Sequence, residues 1–166
     1  ADASLFNINA TTGVVTFKSA PNYEAPGDAG GNNVYNITVG ASDGTNTATK
    51  AVAVSVTNVN EAPTVTSAAT ASFAENGTGT VYTIAATDPD AGTTLTYSLT
   101  GADASLFNIN STTGVVTFKS APNYEAPGDA GGNNVYDITV GASDGTNSTT
   151  KDVAITVTNV NEAPTG

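Results

Sequence analysis

The sequence predicts an all-β protein built of seven-stranded Greek-key β-sandwich modules in tandem, one complete and one partial. Three observations carry that expectation. At an offset of 101, residues 1–64 match residues 102–165 at 57 of 64 positions. Such near-identity marks a tandem duplication of a unit long enough to fold by itself. The seven changes, at Ala10, Asn36, Thr47, Ala48, Ala51, Val54 and Ser55, are all mild. Apolar residues alternate with period two, and no window sustains a helical period. Clusters of Gly, Asn, Asp and Pro punctuate the alternating runs at strand-like spacing.

In the complete unit a first strand is expected over residues 65–73, closed by Asn76-Gly77. A second turns Tyr82, Ile84 and Ala86 inward and stops at Pro89-Asp90-Ala91-Gly92. The third carries Leu95, Tyr97 and Leu99; the fourth, Phe107 and Ile109, ends at Thr113-Gly114; the fifth carries Val116 and Phe118. Pro127-Gly128 and Gly131-Gly132-Asn133-Asn134 lead into the sixth, with Tyr136, Ile138 and Val140. Asp144-Gly145 turns it into the seventh, with Val153, Ile155 and Val157. The expected division is therefore a partial module at 1–61 holding the last four strands, a complete module at 62–163, and the start of a further linker or module at 164–166. The stretch 65–101 occurs once, so Phe6, Ile8, Val15, Phe17, Tyr35, Ile37, Val39, Val52, Val54 and Val56 lack an opposing layer. An upstream stretch resembling residues 65–101 in a longer array would supply it; a fibre whose subunits share strands is the alternative.

Composition excludes much chemistry. The chain of 166 residues has 15 acidic and 4 basic side chains, a net charge of −11, and no His, Cys or Arg. No Ser-His-Asp triad, thiolate nucleophile, ordinary zinc site or disulfide can be built. The acidic balance opposes nucleic acid and anionic membranes, which need a basic surface. No apolar run approaches the roughly 18 residues of a membrane span. Catalysis is not expected, because a narrow sandwich of this length offers no cleft for a carboxylate pair. The charged partners this composition suits are cations.

The acids are unevenly placed. Asp88 and Asp90 follow the second strand, Asp144 follows the sixth, and Glu61 sits in the joining segment Asn58-Val59-Asn60-Glu61-Ala62-Pro63. In an antiparallel sandwich the ends of the second and sixth strands converge at the pole where that segment enters. Glu24, in Asn22-Tyr23-Glu24, is expected at the opposite pole of the preceding unit, facing the same junction. Carboxylates gathered without a basic partner repel unless a hard cation neutralises them. Oxygen-only donors on flexible loops suit Ca²⁺ better than Mg²⁺ or a transition metal.

These motifs together resemble the cadherin superfamily, in particular bacterial cadherin-like repeats of large surface proteins. Asn159-Val160-Asn161-Glu162-Ala163-Pro164 is similar to the cadherin Asp-x-Asn-Asp-Asn-x-Pro linker. Ala86-Thr87-Asp88-Pro89-Asp90 is similar to the family's Asp-x-Asp, and Ala142-Ser143-Asp144-Gly145 to its Ala-x-Asp-x-Gly. Ala74-Glu75-Asn76 resembles Pro-Glu-Asn, and Asn123-Tyr124-Glu125 the Leu-Asp-Arg-Glu position. Carried over, the resemblance implies Ca²⁺ ligands at Glu24, Asn58, Asn60, Glu61, Asp88, Asp90 and Asp144 in the complete junction. It implies Glu75, Glu125, Asn159, Asn161 and Glu162 as half of the next, and Asp43 as part of the junction before. Asn at positions 22, 58, 123 and 159 stands where the family often has Asp, and each lost charge weakens a site.

The function expected is a structural and adhesive extracellular repeat, a calcium-stiffened spacer of a cell-surface adhesin or fibre. Its partners would be neighbouring modules of the same array and homotypic fibre contacts. The alternative is a carbohydrate- or ice-binding β-sandwich, for which a polar, Thr-rich face could serve. Against it, aromatic residues are only 7% of the chain and mostly inward, leaving few platforms for sugars.

Overall fold

A computed structural model describes residues 1–165, which divide into two compact units, residues 1–60 and residues 61 onward. Gly166, expected within the start of a following linker, lies outside the described residues. Unit 1 holds β1 (Phe6–Ile8), β2 (Val15–Phe17), β3 (Val34–Ser42) and β4 (Thr47–Ser55). Among the described residues β1 pairs with β2 and β3 with β4, both antiparallel.

Unit 2 begins with β5 (Thr64–Val65), β6 (Thr70–Ala74), β7 (Thr80–Thr83), β8 (Ala86–Thr87) and β9 (Thr96–Thr100). It continues with β10 (Phe107–Ile109), β11 (Val115–Phe118), β12 (Val135–Ser143) and β13 (Ser148–Thr158). One sheet runs β6-β13-β12-β9 and another β10-β11-β7, while β5 pairs with β8. The chain crosses from β7 to β9, back to β10, and again from β11 to β12, which is the Greek-key sandwich the alternation predicts.

Two expected strands are each broken in two. The first becomes β5 and β6, because Thr66 and Ser67 both donate their N–H to Ala85 O and so turn the chain before β6 joins β13 in parallel. The second becomes β7 and β8: Ile84 N–H still donates to Gly114 O in the β7–β11 register, and past it the chain changes partner, Ala85 O accepting from Thr66 and Ser67 N and Ala86 pairing with Val65.

The core lies between the sheets. Val116, Val140, Val153, Ile155 and Val157 from the expected inward set are each 2% exposed or less. Phe107 and Phe118 pack at 4.4 Å between ring centroids, and both meet Tyr136 edge-on. Burying each such side chain contributes about 1.5–3 kcal/mol, so unit 2 carries a core of its own. The counterparts in unit 1 are less covered: Val15 is 36% exposed where Val116 is 0%.

Candidate metal centre

Each pole of unit 2 gathers carboxylates, by different local means. At one end, β6 stops beside the end of β13, since Ala74 pairs with Thr158. Glu75 follows at once, its N–H donating to Thr158 O. Asn76 then takes a left-handed conformation, φ 61°, which Asn tolerates, and its N–H donates to Pro122 O. Glu75 is only 3% exposed. Its two oxygens accept from Val160 N and Tyr124 N, both at 2.8 Å. One buried carboxylate thus ties the outgoing linker to the loop before β12.

That loop carries Glu125, whose N–H donates to Asn123 Oδ1 at 2.9 Å in an Asx turn. Glu162, in the outgoing linker, accepts from Asn76 Nδ2 at 2.7 Å. Glu75, Glu125 and Glu162 each bring a carboxylate oxygen into a group whose members lie within 4.8 Å of one another. The amide of Val160, foremost, holds the Glu75 carboxyl below its usual range, against the cost of burial. Burial, with the charges of Glu75 and Glu162, pushes the Glu125 carboxyl up. Asn159 and Asn161 lie exposed in the same linker, past β13.

At the other end, Ser143 pairs with both Thr96 and Ser148, so the β12–β13 turn and the start of β9 share one edge. Thr87 pairs with Thr64 there, and Thr149 Oγ1 donates to Pro63 O at 2.7 Å. The segment before β5, Asp88, Asp90 and Asp144 therefore lie toward one pole of unit 2, without Asp88 or Asp144 joining a close group of acids among the described residues. Asp90 Oδ2 accepts from Glu61 N at 2.8 Å, and Asp88 Oδ1 accepts from Asp90 N. Asp88 Oδ2 is shielded from solvent without a hydrogen-bond donor, a cost that a cation would relieve. Asp144 Oδ1 accepts from Thr146 N and Asn147 N.

Unit 1 repeats these local forms. Glu24 N–H donates to Asn22 Oδ1 at 2.9 Å, as Glu125 does to Asn123. Asp43 Oδ1 accepts from Asn46 N and Thr45 N, and those amides hold its carboxyl below the usual range. Asn58 and Asn60 lie beyond β4, outside any strand.

The donor set fits a hard divalent cation. It is all oxygen, and carboxylate oxygens within 4.8 Å lie inside the span of about 5 Å across a Ca²⁺ shell. Four buried acids take another role that the sequence reading missed. Asp103, 3% exposed, accepts from Ala130 N and Asp137 N at 2.7 Å; Asp2, 2% exposed, does the same with Ala29 and Asn36. Asp129 and Asp28, each 6% exposed, cap the Gly-Gly-Asn-Asn loops. For Asp28 and Asp129 the available signal was their place beside Gly-Gly-Asn-Asn, whereas Asp2 and Asp103 carry none, since their amide donors lie 27 and 34 residues away.

A family model described as the cadherin domain matches residues 69–158. Among solved structures, the chain is similar to mouse cadherin-23 EC22-24, with 26% identity and a TM-score of 0.61 over 96% of this chain and 51% of that one. It is also similar to human protocadherin-24 EC1-2, with 22% identity and a TM-score of 0.64 over 96% of this chain and 79% of that one. A third likeness, to protocadherin gammaB7 EC3-6 described as a cis-dimer, has 22% identity and a TM-score of 0.60 over 93% of this chain and 38% of that one. The chain thus spans about half the length of the cadherin-23 fragment it matches. No curated protein sequence matches it. No helix among the described residues is long and apolar enough to cross a membrane.

Proposed function

Because this chain belongs to the cadherin family, we propose that it is a calcium-stiffened spacer in an extracellular adhesive array. Cadherin domains are extracellular adhesion-type modules, and the match favours this class over carbohydrate or ice binding. The observation that carries the calcium reading is the Glu75, Glu125 and Glu162 group at the pole of unit 2 from which the linker leaves. Like charges held this close are compensated most simply by a divalent cation. Asn159 and Asn161 would add neutral oxygens to the same half site.

By the 101-residue repeat, Glu24 and Glu61 are the counterparts of Glu125 and Glu162. We assign the other half of a full junction to Asp88, Asp90 and Asp144, with Asn58 and Asn60 from the linker; the shielded Asp88 Oδ2 supports it. Asp43, the counterpart of Asp144, would serve a junction on the other side of unit 1. When bound, Ca²⁺ neutralises these acids and holds the linker. The protein's own residues pre-shape each half, Glu75 by clamping Val160 and Tyr124, Asp90 by holding Glu61.

Calorimetric titration of the 166-residue chain with Ca²⁺ tests this. Heat of binding and a raised melting temperature are expected, since a ligand at 100 times its Kd stabilises the native state by about 2.7 kcal/mol. Glu125→Gln should remove part of the binding and Asp90→Asn another part. No heat and no melting shift in millimolar Ca²⁺ would sink the calcium reading.

A further inference from the structure

We propose that each unit carries a preformed binding niche for a small organic carboxylate with an apolar body. In unit 2 a cavity of about 390 Å³ opens between the start of β10, the end of β11 and the loop that leads to β12. Its walls are Leu106, Phe118, Pro122, Ala126 and Tyr136. In unit 1 the counterparts Leu5, Phe17, Pro21, Ala25 and Tyr35 line a cavity of about 380 Å³. Every residue lining one cavity has the identical residue, 101 positions away, lining the other. Both volumes fall within the roughly 300–1,000 Å³ of small-molecule sites.

Bonds within the protein fix these walls. Lys119 N–H donates to Leu106 O at 2.9 Å, which joins the end of β11 to the start of β10. Gly128 N–H donates to the Tyr136 hydroxyl oxygen at 3.2 Å, which ties the loop to the ring. Asp103, accepting from Ala130 N and Asp137 N, pins the same loop to β12. Unit 1 repeats each bond: Lys18 N to Leu5 O at 2.9 Å, Gly27 N to the Tyr35 hydroxyl at 3.1 Å, and Ala29 N and Asn36 N to Asp2. The space is open at Gly128, where a Cβ would meet only the Tyr136 hydroxyl, at 3.5 Å.

The donors left unspent select the charge of the ligand. Tyr136 is 3% exposed, and its hydroxyl proton meets no acceptor among the described residues, whereas Tyr82 donates its own to Ala68 O. Tyr35, also 3% exposed, repeats this. Lys119 lines the niche from its exposed rim, its ammonium likewise without an acceptor there, whereas Lys151 Nζ donates to Ser67 O at 2.6 Å. A buried hydroxyl short of a partner carries a cost that an incoming acceptor removes. No acid lines either cavity in a chain with 15 of them, yet each cavity takes one of only 4 basic residues. The net charge of −11 opposes anions at long range, but at physiological salt that field is screened beyond about 8 Å. A carboxylate accepts from both an ammonium and a phenol. The leucine, phenylalanine and proline walls then cover the apolar body attached to it.

Amide chemical shifts of the isotope-labelled 166-residue chain, titrated with hydrocinnamate in chelator, test the proposal independently of the calcium reading. Saturable shifts are expected at Ser120, Gly128 and Tyr136, and at their counterparts Ser19, Gly27 and Tyr35. Hydrocinnamyl alcohol, which keeps the body and loses the charge, should bind at least tenfold more weakly. Acetate, which keeps the charge and loses the body, should shift none of these amides. Lys119→Gln should weaken binding in unit 2 several-fold and leave unit 1 unchanged. Gly128→Leu, which fills the niche from an open position, should abolish binding in unit 2 alone. Acetyl-Phe-Glu amide, which presents the same two groups from a peptide, should bind more weakly than the free acid. No saturable shift at either niche, equal affinity for the alcohol, tighter binding of the peptide, or an unchanged unit 2 in both variants would each overturn the proposal.

Discussion

Asp103 shows how one side chain can hold two distant segments. Its oxygens accept from Ala130 N and Asp137 N, 27 and 34 residues away, at 3% exposure. Asp103→Ala strands both amides, and unit 2 should lose about 3 kcal/mol in chemical denaturation. Asp129 adds a pH dependence. Burial opposes its charge, but the amides of Asn133 and Asn134 prevail and hold the carboxyl below its usual value of 3.8. Its contribution is therefore present above pH 3.8 and lost as pH falls through the lower folded value. Asp129→Asn should melt earlier than the parent at pH 7, and the gap should close in melting curves taken below pH 3.8. Glu125 has the opposite sign. Burial, then the charges of Glu75 and Glu162, raise its carboxyl above the usual 4.5. The stability it confers is full below pH 4.5 and lost as pH rises through the folded value. Glu125→Gln should thus raise the melting temperature in chelator at pH 7, with no gain below pH 4.5, while weakening Ca²⁺ binding.

Among the elements, the alternating runs were legible because period two survives wherever one face is buried. The breaks in the first two strands were not. Thr66-Ser67-Ala68-Ala69 contains neither Gly nor Pro; what interrupts it is Ala85 O taking both Thr66 and Ser67 amides, a partner no local reading supplies. The turn between β10 and β11 yields a paired test. Gly114 has φ +76° and would press a Cβ to 2.6 Å from Ile84 O, while Gly13 has the same φ and open space. Both Ala substitutions carry the left-handed cost of about 1–2 kcal/mol, but only Gly114→Ala adds a backbone collision. Thermal unfolding should show Gly114→Ala as clearly the more damaging; equal losses would mean that the β7 edge gives way freely.

For the whole molecule, the repeat of 101 residues and five ordered motifs sufficed to place the chain among cadherins, and a family model over residues 69–158 agrees. The proposed calcium role predicts a change in shape, since the linker has no core of its own and its acids repel without an ion. Small-angle scattering with Ca²⁺ and with chelator should differ in flexibility or maximum dimension. Identical profiles would count against stiffening, whatever the calorimetry shows.

By itself the sequence determined the strand class, the repeat and the linker acids, because alternation, duplication and charge spacing are properties of neighbours along the chain. Only the tertiary structure decided which acids are structural. Asp103 and Asp129 are as acidic in sequence as Asp88 and Asp90, yet the first pair is consumed by backbone amides. Asp88 keeps an oxygen without a donor. The difference lies in which distant N–H groups the fold delivers and how much water it removes, and both arise only when the sheets close on one another.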